Sequence, residues 1–244
     1  EANTMHRLYV THRLGEGRRF VLDIKQSHYL LHVLRATLGK EVFVFNGQEG
    51  EWRSRINAIQ KKKVELEVIE KIRQQERAPD RWLCFAPIKQ ARLDYMLQKA
   101  VELGASKLIP VKTCYTQIGK FNIERAYATS IEAAEQCGSL VLPQIEPMQN
   151  LENLLNHWPA ERRLLFFDEA CSCASPLPLL QQVIAQPVAV LIGPEGGFAE
   201  QERQRLQKEK FVLPLSLGKN ILRAETAAIA ALALLGAVSL PSRL

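Results

Sequence analysis

Apolar and polar residues alternate in three short runs of the first third of the chain, Glu41–Phe45, Trp52–Ile56 and Val64–Val68. A period of two sets one face of each run against a core and the other toward solvent, so all three are predicted to be strands. Asn46-Gly47 and Glu49-Gly50 punctuate the first two runs as a hairpin connection would. The stretch from Ser27 to Thr37 reads instead as a helix, capped by Ser27 and stopped by Gly39. A small β-barrel with one helix is the expectation for this region. From Lys71 to Trp82 the chain turns polar and reaches Pro79, which suits a linker.

Beyond the linker the pattern changes. Apolar runs of strand length, Trp82–Ala86, Leu108–Val111, Leu164–Phe167, Val188–Ile192 and Val212–Leu217, are separated by helical segments. Strands that alternate with helices predict a mainly parallel α/β sheet. The helix predicted over Arg92–Leu103 carries Leu93, Met96, Leu97, Ala100 and Val101 at three-and-four spacing, with Gly104 as its stop; that stripe is core. An Ala-rich helix is expected from Ala224 to about Ser239.

With 244 residues, 47% of them apolar, the chain has material for two cores. The expected domains are 5–73 and 79–244. Residues 1–4 precede Met5, a candidate initiator, and are set aside as added sequence. No signal segment precedes Met5 and no apolar run reaches membrane-spanning length, so a soluble cytoplasmic protein with no membrane partner is expected. The five cysteines, Cys84, Cys114, Cys137, Cys171 and Cys173, are odd in number and form no disulfide framework, which also favours a reducing compartment. Cys171-Ser-Cys173 lacks a second pair at ligand spacing, and His28 and His32, one turn apart, lack a third ligand. No metal is expected.

Charge sharpens the division. The net charge is +6, and residues 1–78 hold 15 Lys and Arg against 10 Asp and Glu, whereas residues 79–244 hold 17 against 16. A basic excess confined to the first third points to nucleic acid there, with Arg7, Arg13, Arg18, Arg19 and Arg35 as candidate phosphate contacts. Lys61-Lys62-Lys63 is either part of that face or a solvated hairpin tip.

Two turns carry the candidate chemistry. Leu191-Ile192-Gly193-Pro194-Glu195-Gly196-Gly197-Phe198 leaves an apolar strand and enters a helix with Glu200 and Glu202 in its first turn. Its glycines let backbone approach a ligand closely. It has neither the Gly-Lys-Ser/Thr ending of a phosphate loop nor the Gly-x-Gly-x-x-Gly spacing of a dinucleotide fold, which argues against ATP and NAD. One strand later comes Leu215-Ser216-Leu217-Gly218-Lys219-Asn220-Ile221-Leu222-Arg223-Ala224-Glu225-Thr226-Ala227. An Arg at a helix start opposes the helix dipole, which marks Arg223 for a role other than stability; a salt bridge to Glu225 is the alternative. Both turns leave the carboxyl ends of parallel strands, where open α/β sheets bind ligands.

In order and spacing, Gly-Pro-Glu-Gly-Gly-Phe followed by Leu-Gly-x-x-Ile-Leu-Arg-x-Glu-Thr-Ala resembles the bacterial 16S rRNA uridine-N3 methyltransferase family of the SPOUT superfamily. The resemblance extends to Lys89 and the Arg92–Gly104 helix, to Glu132-Ala133-Ala134-Glu135-Gln136, and to His6-Arg7-Leu8-Tyr9-Val10 with His28-Tyr29-Leu30 and Val33-Leu34-Arg35. It implies an N-terminal PUA-like β-barrel that binds rRNA and a C-terminal SPOUT domain whose parallel sheet ends in a deep trefoil knot holding S-adenosyl-L-methionine. It also implies a homodimer in which each active site is completed by the other subunit. The implied substrate is a uridine in the decoding region, met within the assembled small ribosomal subunit. The pattern breaks at Ser139, where many relatives carry Arg, and at Lys112–Gln117, where an Arg/Ser-rich stretch is expected.

The cofactor positions that follow are Ile192, Gly193, Pro194 and Gly197 in the first turn, and Leu217, Gly218, Ile221, Leu222, Thr226 and Ala227 in the second. For catalysis, Arg223 is expected to stabilise a uracil anion at O2 or O4, with Glu225 or Glu195 orienting that Arg or accepting the N3 proton. Two other functions use the same features: a SPOUT enzyme that methylates the ribose 2′-OH, and a non-catalytic ribosome-assembly protein that binds RNA through the barrel.

Overall fold

The computed structural model describes residues 6–168, 176–183 and 185–239. Cys171 and Cys173 therefore lie outside the described residues, as do Met5 and the residues before it. Contacts divide the chain into two compact units, one of residues up to Arg77 together with Ala134–Leu142, the other of Ala78–Ala133 and the chain from Pro143 onward.

In the first unit β1 (Arg7–Tyr9), β2 (Arg19–Val21), β3 (Glu41–Phe45), β4 (Glu51–Gln60) and β5 (Lys63–Arg73) form one sheet in the order β1-β3-β4-β5-β2. Only the β1–β3 pair is parallel. The alternating pattern does what its period requires: Val42, Val44, Ile56, Val64, Leu66 and Val68 face one core with Leu8, Phe20 and Leu30. Three register shifts along β4–β5 mark bulges, which add twist and curl a sheet. β1 and β2 are three residues each, too short to display a period.

The helix of this unit starts earlier and ends earlier than 27–37. α1 (Ile24–His28) continues as one π turn over Tyr29–Val33. Asp23, not Ser27, is the cap: its carboxylate accepts from the Gln26 N–H at 2.7 Å. Ser27 is buried, where its hydroxyl donates to the Leu22 carbonyl and accepts from the Val64 N–H, tying α1 to β5. Arg35 has φ +49, which stops the helix before Gly39 is reached.

The second unit is a sheet of β6 (Arg81–Phe85), β7 (Lys107–Lys112), β8 (Gln144–Ile145), β10 (Arg163–Phe167), β11 (Val188–Ile192) and β12 (Val212–Leu215), in the order β12-β10-β11-β6-β7-β8, with β9 (Gln149–Asn150) also on β7. Every pair is parallel. Both faces are covered, which is why these runs are apolar throughout. Leu83, Phe85, Leu165, Val190 and Ile192 face one cluster, to which α2 (Gln90–Glu102) and α7 (Ala224–Ser239) contribute. Cys84, Leu164, Phe166, Ala189 and Leu191 face the other, closed by α4 (Leu151–Asn156) and α6 (Glu200–Gln207). Burial of Cys84 raises its thiol pKa far above the ordinary value. The remaining helices are α3 (Ile123–Cys137) and α5 (Pro176–Val183). Among the described residues no helix is long and apolar enough to cross a membrane.

Candidate active site

Because β12, β10 and β11 are parallel neighbours, their carboxyl ends open side by side, and the segments after them line a cleft that is open to solvent. The turn after β11 closes with a hydrogen bond from the Gly197 N–H to the Pro194 carbonyl at 2.9 Å, and Gly197 has φ +69. Phe198 folds back over Gly193 so closely that a Cβ there would lie 2.6 Å from its ring. That ring is buried and meets Phe166 edge-on, with centroids 4.9 Å apart. A glycine is thus obligatory at 193, and the turn is locked to the core beneath it.

The turn after β12 is built differently. The Ser216 hydroxyl accepts from the Gly218 N–H at 3.2 Å, and Gly218 adopts φ +117 with nothing within 4 Å of where a Cβ would stand. Ile221 is 79% exposed. α7 then begins at Ala224, and the Ala227 N–H donates to the Arg223 carbonyl.

Ile192, Gly193, Pro194, Glu195 and Gly197 line the cleft from the first turn, Leu217, Gly218, Ile221 and Leu222 from the second, and Ala227 from α7. Thr226, Arg223 and Glu225 are not among the lining residues, although Ala224 between the last two is. Arg223 is exposed and makes no side-chain hydrogen bond or ion pair among the described residues. Phe167, Asp168, Phe198, Ser216 and Asn220 also line the cleft and were not anticipated. Asp168 was within reach of the sequence, since it is the first polar residue after an apolar strand of a parallel sheet. Its carboxylate is 3.1 Å from the Arg203 guanidinium.

The cation that gathers the candidate carboxylates is Arg92, not Arg223. From the first turn of α2 it bonds Glu195 and sits 3.7 Å from Glu225 Oε2. Glu225 is buried, and its Oε2 has no hydrogen-bond partner among the described residues, so the guanidinium is the charge that faces it. The alternative of an Arg223–Glu225 salt bridge is not taken up: both acids reach a cation on a helix more than 100 residues earlier in the chain. The dipole argument that singled out Arg223 applies equally to Arg92, an Arg in the opening turn of α2. α2 is held in turn by Arg125, whose guanidinium bonds Asp94 at 2.6 and 3.2 Å and keeps that carboxyl below its usual range.

Beside the first turn stands the segment after β7. The Glu202 carboxylate accepts from the Ala199 N–H at 3.0 Å, at the start of α6, and from the Cys114 N–H at 2.8 Å. Thr113 and Thr116 close a turn between them. This brings Tyr115 against Gly196, where a Cβ would lie 3.1 Å from Tyr115 Cβ.

In the first unit Arg13, Arg18, Arg19 and Arg35 are exposed, and Arg19 pairs with Glu67 at 3.2 Å. Arg7 is placed differently from those four. It bonds Glu51 and the carbonyls of Ala134, Glu135 and Ser139, and lies 4.5 Å from the centre of the Phe45 ring, so its donors are spent inside the unit. Ser139 satisfies itself locally, its hydroxyl donating to the Val141 carbonyl at 2.9 Å. The His28 and His32 rings lie 4.6 Å apart on the solvent side of α1.

A parallel sheet with its cleft in the loops after β10, β11 and β12, together with a small β unit, suits an RNA methyltransferase, and the comparisons agree on that class. Residues 75–236 match the model of an RNA methyltransferase domain and residues 22–69 that of an RNA methyltransferase PUA domain. The ribosomal RNA small subunit methyltransferase E of Rickettsia conorii is 34% identical over 230 residues, covering 93% of each chain. That of Bacillus subtilis is 25% identical over 232 residues, 90% of each. The crystal structure of the same enzyme from Neisseria gonorrhoeae, bound to S-adenosyl methionine, superposes with a TM-score of 0.85 at 27% identity, over 96% of this chain and 98% of that one. The chain belongs to the ribosomal RNA small subunit methyltransferase E family.

Proposed function

We propose that the protein transfers a methyl group from S-adenosyl-L-methionine to N3 of a uridine in 16S rRNA. The observation that carries this is the cleft, where glycine backbone from two turns meets apolar walls and two carboxylates, Asp168 and Glu195. Such a lining fits the donor: Ile192, Leu217 and Leu222 offer faces to a flat base, and backbone of the two glycine turns offers hydrogen bonds. The bound donor supplies an electrophilic methyl group. Ile192, Gly193, Pro194, Gly197, Leu217, Gly218, Ile221, Leu222 and Ala227 hold it, while Thr226, exposed on α7, does so less directly.

Uracil N3 bears a proton at neutral pH, so the chain must accept that proton and stabilise the anion left behind. Arg223, exposed beside the cleft with its donors uncommitted among the described residues, faces O2 or O4 of the base. Glu195 lines the cleft and takes the proton, and Arg92 fixes the position of Glu195 with Glu225 as its anchor. Pairing must be broken for N3 to be reached, so the base is presented unpaired or flipped.

The first unit docks the RNA through Arg13, Arg18, Arg19 and Arg35, which makes affinity for the small subunit fall steeply with salt. The family resemblance supports the finer points of this reading: a deep trefoil knot in the C-terminal part of the second unit, a homodimer with each site completed by the partner, domains over 5–73 and 79–244, cytoplasmic residence, and action on the assembled small subunit.

Mass analysis of small-subunit rRNA nucleosides, from cells lacking the protein and from cells in which it is restored, tests the reading. The expected result is 3-methyluridine that disappears and returns with the protein. Loss of a ribose-methylated nucleoside instead reassigns the acceptor, and no change in any nucleoside overturns the enzyme reading.

A further inference from the structure

Tyr115 is half exposed, at 50%, and no hydrogen bond or ring contact engages it among the described residues. Its position is nevertheless fixed. The Thr113–Thr116 turn and the bond from the Cys114 N–H to Glu202 hold the backbone on both sides of it. One edge of its ring lies against Gly196, with Cγ 3.5 Å and Cδ2 3.7 Å from where a Cβ would be. Gly196 belongs to the turn whose neighbours Glu195 and Gly197 line the cleft. An aromatic side chain is thus anchored through its backbone beside the turn that lines the cleft, with much of its ring uncovered, and Lys112 and Lys120 are exposed in the same segment.

We propose that Tyr115 is the platform on which a face of the substrate uracil rests, a role that depends on the methyltransferase reading above. Methylation at N3 requires the pairing edge of the base to be free for the incoming methyl group. Recognition by hydrogen bonds along that edge would compete with the reaction. A contact with the flat face leaves the edge open, and an aromatic ring supplies it for any base. Because the ring is strapped in place before RNA arrives, little ordering is needed on binding. The two lysines serve the phosphates beside the base. Tyr115 thereby selects for a base drawn out of its stack, while the donor is held by the turns and not by Tyr115.

The test compares wild type with Tyr115→Ala, Tyr115→Phe and Tyr115→Trp on small subunits from cells lacking the enzyme, with donor affinity followed by calorimetry and oligomeric state by light scattering. Expected are a tenfold to hundredfold loss of kcat/KM for Tyr115→Ala, expressed largely as a higher KM for the subunit, near-normal turnover for Tyr115→Phe and Tyr115→Trp, and unchanged donor affinity. A kcat/KM for Tyr115→Ala within twofold of wild type overturns the inference. So does an equal loss in Tyr115→Phe, which would assign the role to the hydroxyl, or a shift in donor affinity or oligomeric state, which would make Tyr115 a packing residue. An active wild type beside an unimpaired Tyr115→Ala defeats this inference alone, whereas a wild type that forms no methyluridine defeats the functional reading and this one with it.

Discussion

The two turns that build the cleft share glycines and position in the sheet, yet they are supported in opposite ways. The turn 193–198 is gripped on every side: Phe198 closes over Gly193, Tyr115 over Gly196, and Arg92 takes Glu195. The turn 216–223 is supported mainly by its own Ser216, with Ile221 and Arg223 exposed and open space around Gly218. The first is a preformed wall and the second presents uncommitted groups. A site divided in this way pairs a braced wall with a segment whose side chains are free to meet a ligand.

Four variants break or sharpen that division. The largest effect is expected from Arg223→Ala, which should lower kcat by about 100-fold or more, the scale for losing a group that stabilises developing charge, while donor affinity and Tm stay near wild type. A turnover near normal would remove Arg223 from the mechanism. Gly193→Ala comes next, because the new methyl must displace a buried ring; a Tm drop equivalent to about 1–3 kcal/mol is expected for such overpacking, with donor binding weakened in the same calorimetric titration. Arg92→Ala leaves buried Glu225 facing no charge, and about 1–3 kcal/mol of stability should be lost, together with weaker donor binding as Glu195 is released. Ile221→Ser should leave Tm unchanged, since little is buried there, and lower donor affinity alone. An equal fall in Tm for Ile221→Ser and Gly193→Ala would erase the contrast between the turns.

Acidification offers a weaker probe of the first turn's support. The Arg125 guanidinium holds the Asp94 carboxyl below its ordinary value, so the pair contributes stability above the unfolded pKa and loses it as pH falls through the lower folded one. Both partners reach solvent, so water and salt screen the pair and its contribution is small. Thermal melts between about pH 5 and 3 should therefore show a slightly steeper decline for wild type than for Asp94→Asn.

Legibility in the sequence followed the range of the interactions. Five strands of the second unit were readable to within one or two residues because burial on both faces leaves unbroken apolar runs, as at Val188–Ile192, whereas β8 and β9, two residues each, carried no such run. The glycine turns were readable because their constraint is local. β1 and β2 were missed because three residues carry no period. Ser27 was misassigned as a cap because a serine serves equally well inward, and only the bond to Val64 distinguishes the two uses. Arg7 looked like a surface cation because nothing near it in the chain announces Glu51 or the carbonyl groups at 134–139. Arg92 was hidden for the same reason: its partners lie 103 and 133 positions away.

Gly196 and Tyr115 occupy what is in effect a single side chain's worth of space. A Cβ added at 196 would stand 3.1 Å from Tyr115 Cβ, an atom that every residue but glycine keeps at 115. Descendants of this sequence can therefore vary the ring at 115 without touching 196, whereas a change at 196 asks the backbone around 115 to give by a few tenths of an ångström. Exchanging the segment 113–117 between relatives without the glycine turn that faces it should then fail more often than exchanging both together.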